Sequence, residues 1–164
     1  MASTSTTIEL KWTKPLPIEE AVEGTLPATD VVYCITRKGD DGDHLHYVGK
    51  SNATMIKANL RKQMKPVEVK WKGDKMVSFA KVEHSQVGNM DPRKVMEDIK
   101  GALIYSGQPE SNVQNKNFYR PRSPFFIIKN TGSKWTGFKS IIKTKDLYEQ
   151  SEKELSKESS KEKK

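Results

Sequence analysis

Apolar and polar positions alternate at Ile8, Leu10 and Trp12, which predicts an N-terminal strand that ends at Pro15 and Pro17, before a short helical turn over residues 18–22. Val31, Tyr33 and Ile35 alternate with Val32, Cys34 and Thr36. A Gly/Asp cluster at 39–43 and a second short run at 45–48 follow, completing the pattern of a β-hairpin. Gly49 closes the second strand where the chain must turn, and Ser51 or Asn52 is placed to cap a helix over 55–64, with Ile56, Leu60 and Met64 on one stripe. Residues 76–82 alternate as a third strand with Val77 and Phe79 on one face. Asp91-Pro92 supplies a cap and a first-turn proline for a longer helix whose core face is Val95, Ile99, Ala102 and Leu103, and which Gly107 and Pro109 end. An apolar strand at 125–129, a turn at 130–134 and a weaker run at 135–143, where Trp135, Phe138 and Ile141 fold back on the sheet, finish the pattern.

A length of 164 residues with 34% hydrophobic positions suits one domain with a real core. Beyond Tyr148 the residues are nearly all Ser, Lys and Glu, the composition of a disordered tail. The expected organisation is therefore an N-terminal extension at 1–26, a folded domain at 27–145 and a charged tail at 146–164. No apolar run approaches membrane-spanning length, and the first residues lack the basic and apolar regions of a signal peptide. Cys34 is the only cysteine, which rules out an intramolecular disulfide and a Cys-rich zinc site. These features favour an intracellular protein, cytoplasmic or nuclear, with no membrane partner.

The formal net charge of +8 and a pI near 9.4 change the picture by favouring a polyanion partner, though charge alone carries no sequence specificity. Lys57, Arg61 and Lys65 form an i, i+4, i+8 series that follows Lys50 and the Tyr47-Val48-Gly49 turn. With Tyr33 and Tyr47 on adjacent strands, a helix N-terminus, cations and two phenols converge on one surface suited to a phosphodiester. Arg120 and Arg122, beside Phe118 and Tyr119, make a second surface for stacking and phosphate contact, set against the reading of an ordinary loop marked by Pro121 and Pro124. Asp40, Asp41, Asp43, His44 and His46 read as turn chemistry in preference to a metal site.

Val31-Val32-Tyr33 paired with Tyr47-Val48-Gly49 resembles the GIY-YIG nucleases, named for the two strands that carry these motifs, with Val31 in place of the first glycine. The resemblance continues in Leu103-Ile104, Pro109 and Asn112, which match the family's third-helix pattern at the right spacing, while the position of its glutamate is Lys100. It implies an α+β fold, a small α/β/α sandwich with a central, mostly antiparallel sheet flanked by helices. It also implies roles: Tyr33, Tyr47, Arg61 and Asn112 as catalytic residues, and Lys50, Lys57, Arg61, Lys65, Lys100, Arg120 and Arg122 as nucleic-acid contacts. A lysine cannot ligate the divalent metal that the family's glutamate holds, so the implied function is nucleic-acid binding, DNA before RNA, without hydrolysis. In the alternative, Glu97, one turn earlier, holds Mg2+ or Mn2+ and the chain is an active endonuclease; otherwise no cofactor is implied. A third reading is a basic protein-interaction domain that never touches nucleic acid.

Overall fold

Strand β3 (Val31–Gly39) is central to a four-stranded sheet in a computed structural model of the protein that describes residues 6–24, 29–52, 54–64 and 74–162, with side chains to 158. On one side it pairs antiparallel with β4 (Gly42–Ser51) and on the other with β5 (Lys75–Lys81), which in turn pairs with the two-residue β2 (Leu16–Pro17). A second sheet joins β1 (Thr7–Trp12) in parallel to β6 (Ile127–Gly132), and β6 antiparallel to β7 (Ile141–Lys143). The expected α+β architecture with an antiparallel sheet flanked by helices is present; the parallel pair and the second sheet were not anticipated.

The period-2 alternation of β3 sends its side chains into two cores. Val31, Tyr33 and Ile35, with Val77 and Phe79 of β5, pack against Ile18 and Val22 of α1 (Ile18–Glu23) and against Ile56 and Leu60 of α2 (Ile56–Met64). Val32 and Cys34, with Val48 of β4, pack against Val95, Ile99, Ala102 and Leu103 of α4 (Pro92–Gly107), preceded by the single turn α3 (His84–Val87). The cap of α4 is as the sequence predicts: the Asp91 side chain accepts from Arg93 N, with Pro92 in the first turn.

Both ends of the chain belong to the second core, which corrects two expectations. The described part of the N-terminal extension, residues 6–24, is packed into the domain: Ile8, Leu10 and Trp12 are buried with the α4 face, and Thr13 N bonds Phe79 O at 2.9 Å, tying the end of β1 to β5. The charged tail, as far as it is described, is helical where disorder was expected: α5 (Thr144–Glu162) runs through it. Its first half is docked: Ser151 is fully buried and donates to Tyr119 O at 3.0 Å, and the Tyr105 hydroxyl donates to Glu154 at 2.7 Å. Composition misled because only one stripe, Thr144, Leu147, Tyr148 and Ser151, docks within a stretch that otherwise reads as solvated. Among the described residues, no helix is long and apolar enough to cross a membrane.

Candidate functional site

Tyr33 and Tyr47 share one face of the sheet because Gly49 opposes Tyr33 and Tyr47 opposes Ile35 in regular register, and one extra residue in β4 follows immediately beyond. Ile35 opposes Tyr47 while Thr36 opposes Leu45, so His46 bulges out of register. Strict alternation would have put Leu45 and Tyr47 on one face; the bulge sends Leu45 into the α4 core and leaves Tyr47 against Tyr33 and α2. The phenol rings lie 6.1 Å apart at 37°, and the ring of Tyr33 covers Gly49, where a β-carbon would come within 2.6 Å of its Cζ and hydroxyl. Only glycine leaves that space, so Tyr33 and Gly49 are one packing unit.

The environment of Tyr33 does not suit it to remove a proton from water. Its side chain is 2% exposed, and burial, followed by the charge and hydrogen bond of Tyr47, pushes its hydroxyl well above the usual phenol range. A general base works best with a pKa near the working pH. Tyr47 remains partly exposed at the edge of the same cluster.

Helix α2 stands over the tyrosine face. Asn52 Oδ1 accepts from Thr54 N at 3.1 Å and Met55 N at 2.9 Å, fixing the turn after β4 as the cap position implied. With Ile56 and Leu60 buried, Lys57, Arg61 and Lys62 point outward, and neither Lys57 nor Arg61 has a side-chain partner among the described residues. Lys65 lies outside the described residues.

The cations and the acid of α4 gather on the other side of the sheet. Lys50 Nζ lies 3.0 Å and Lys100 Nζ 3.4 Å from opposite oxygens of Glu97. Burial works to raise the Glu97 carboxyl, but the Lys50 hydrogen bond and the Lys100 charge outweigh it and leave the group below its ordinary value. A carboxylate between two ammonium groups is a poor site for a hard dication, which needs several oxygen donors. Among the described residues, no group of three or more His, Cys, Asp or Glu side chains is placed to hold a metal. Glu97 therefore does not fit the metal-ligand role expected of it. A cleft of about 1090 Å3 opens beside this ion pair between α2 and α4, with Lys50, Asn52, Met55, Arg93 and Glu97 in its walls.

Asn112 also departs from its expected catalytic role. Its Oδ1 accepts from Val48 N and its Nδ2 donates to Val48 O, both at 2.9 Å, so the amide imitates a neighbouring strand. Glu110 N to Leu45 O and Ser111 N to His46 O continue this pairing, and the segment after α4 covers the free edge of β4. The Pro-x-x-Asn spacing thus supports the hairpin, with one donor and one acceptor of the Asn112 amide committed to Val48.

Arg120 and Arg122 are exposed, but the aromatic partner expected beside them is not: Tyr119 is 1% exposed, stacks on Tyr105 and donates to Asp98 O at 3.0 Å. Two charged groups passed over in the sequence organise their surroundings. Asp98, 3% exposed on α4, accepts from Arg122 N and Ser123 N, each at 2.8 Å. Glu110 accepts from Arg37 Nη2 at 2.6 Å and Nε at 3.0 Å, and its Oε2 lies 3.1 Å from His46 Nδ1. The signal for Asp98 was a carboxylate among the apolar positions 95, 99 and 102 of a helix; the signal for Glu110 was its place inside the Pro-x-x-Asn spacing.

The expected site residues among those described are therefore distributed over four places: Tyr33 and Tyr47 beneath α2 with Lys57 and Arg61 on its outer side, Lys50, Glu97 and Lys100 by α4, Asn112 at the edge of β4, and Arg120 and Arg122 on the loop before β6. No protein-family model, curated protein or solved structure matches this chain.

Proposed function

We propose that this protein is a nucleic-acid-binding module of GIY-YIG-like build that does not assemble a metal-dependent phosphodiesterase site, acting on DNA before RNA and inside the cell. The observation that carries the reading is the Lys50–Glu97–Lys100 triad, in which Lys50 of β4 and Lys100 of α4 place two ammonium groups around the one carboxylate available to a metal. The outward Lys57 and Arg61 add cations, and the net charge of +8 supplies the long-range attraction to a polyanion.

Binding should weaken steeply with salt, because each phosphate neutralised on a duplex releases condensed counterions and adds about −0.9 to the slope of log affinity against log salt. The double substitution Lys57→Ala with Arg61→Ala is expected to flatten that slope by roughly two, read by fluorescence anisotropy over a salt series. Absence of binding to both DNA and RNA at low salt would transfer the basic surface to an acidic protein partner.

Incubation with Mg2+ or Mn2+ and a supercoiled plasmid or labelled strands is expected to leave the nucleic acid intact. Cleavage that persists in Lys100→Ala and disappears in Glu97→Gln would instead establish the active endonuclease with a relocated acid.

A further inference from the structure

The loop between α4 and β6 carries cations and an aromatic surface that the tyrosine face does not use. Its backbone is fixed from beneath: Asp98 holds Arg122 N and Ser123 N, and the Tyr119 carbonyl accepts from Ser151. Pro121 and Pro124 restrict it further. The side chains it presents are left open. Phe125 is 45% exposed, an unusual exposure for a phenylalanine with a packed strand directly behind it, and its ring leans on Tyr148 with centroids 6.0 Å apart at 38°. Neither Arg120 nor Arg122 has a side-chain partner among the described residues. A cavity of about 270 Å3 opens here, walled by Arg120, Pro121, Ser123, Pro124, Phe125 and Tyr148. The Ser123 hydroxyl is buried at this wall without a hydrogen-bond partner among the described residues.

We propose that this cavity is a subsite for one unpaired nucleobase of a nucleic-acid strand, stacked on Phe125 and Tyr148 with the adjoining phosphate on Arg120. The occupant follows from the combination: an open aromatic face accepts any base, an unpaired guanidinium accepts phosphate, and a small cavity between them suits a single planar group. A paired base within a duplex presents no face to such a ring. The inference rests on the nucleic-acid-binding reading and narrows it, since the module would then prefer single strands, ends or junctions over uninterrupted duplex. Preorganisation by the buried Asp98 means that little ordering is needed on binding.

The test uses the full chain with a fluorescein-labelled oligothymidylate and a blunt duplex of the same length at low salt. Phe125→Ala, at an exposed position, is expected to weaken single-strand binding roughly tenfold or more while duplex binding stays within about twofold, the range of base–aromatic stacking. Phe125→Trp should keep or strengthen single-strand binding, and Arg120→Ala should reduce the single-strand salt slope by about 0.7. If the native protein binds both probes and Phe125→Ala leaves single-strand affinity unchanged, the subsite is wrong and the nucleic-acid reading stands. If it binds neither probe nor an RNA strand of the same length, both readings fall.

Discussion

Asp98→Ala is expected to lower the thermal midpoint of the whole protein by roughly 10 °C. The Asp98 side chain is 3% exposed and its two oxygens accept separately from Arg122 N and Ser123 N, each at 2.8 Å. Hydrogen bonds to a charged group contribute about 1.5–3 kcal/mol each, and their loss leaves two backbone donors in a partly buried turn. A total of about 3–5 kcal/mol moves the midpoint of a protein of this size by about 2–4 °C per kcal/mol. Asp98→Asn should recover half of the loss at most, because one amide oxygen can still accept while the amide nitrogen meets a second N–H. Scanning fluorimetry or circular dichroism of both variants measures this. A shift under about 2 °C in the alanine variant would mean that the loop is held by its prolines and by Ser151, without need of the carboxylate. The same variant should also weaken single-strand binding, since Arg120 and Phe125 are borne by the turn that Asp98 fixes.

Those elements whose period is strong in the sequence were legible from it. The alternation at Val31–Ile35, the stripe at Ile56 and Leu60 and the capped helix opened by Asp91-Pro92 all appear where pattern placed them, because burial of one face is decided locally. Less legible were features whose meaning depends on a distant partner. The alternation of Ile8, Leu10 and Trp12 was visible, but not that β6 would lie parallel beside it more than a hundred residues later. α5 was hidden because its docked face is made by Thr144, Leu147, Tyr148 and Ser151 within a stretch that reads as solvated. In the candidate site, the pairing of Tyr33 with Tyr47 and the cap at Asn52 followed from the hairpin. What Asn112 and Tyr119 do did not follow, because an amide bonding a strand edge and a tyrosine buried beneath an arginine loop look in sequence just like ligand-contacting residues. The lysine at position 100 was plain from the outset, and its meaning sharpened only when Glu97 was found between it and Lys50.

Glu110→Ala is expected to cost about 3 kcal/mol at neutral pH and to change how stability depends on acid. Arg37 and Glu110 side chains are 13% and 15% exposed and share a two-point contact, so removing the carboxylate deletes two charge-assisted hydrogen bonds from a largely buried pair. Lys75 adds positive charge to the same cluster, and His44 Nδ1 lies 3.9 Å from Glu110 while its Nε2 bonds Asp41 at 2.6 Å. Burial tends to raise the Glu110 carboxyl, but hydrogen bonds from Arg37 and His46 outweigh it and hold the group below its ordinary value of 4.5. The folded protein thus binds this proton less readily than the unfolded chain. Its contribution is complete above 4.5 and is lost as pH falls through the folded-state value. His46 adds an earlier stage: burial, the largest influence, with Lys75 and Arg37, depresses it below 6.5 despite the opposing pull of Glu110. Stability should therefore begin to fall just below pH 6.5 and fall further below 4.5. Urea midpoints between about pH 2.5 and 8 test this, a range spanning both ordinary values and continuing below the carboxyl one. His46→Gln should flatten the upper stage and Glu110→Gln the lower one. An acid profile identical in the native protein and Glu110→Gln would show that other carboxylates, outside the Arg37–Glu110–His46 cluster, govern acid unfolding.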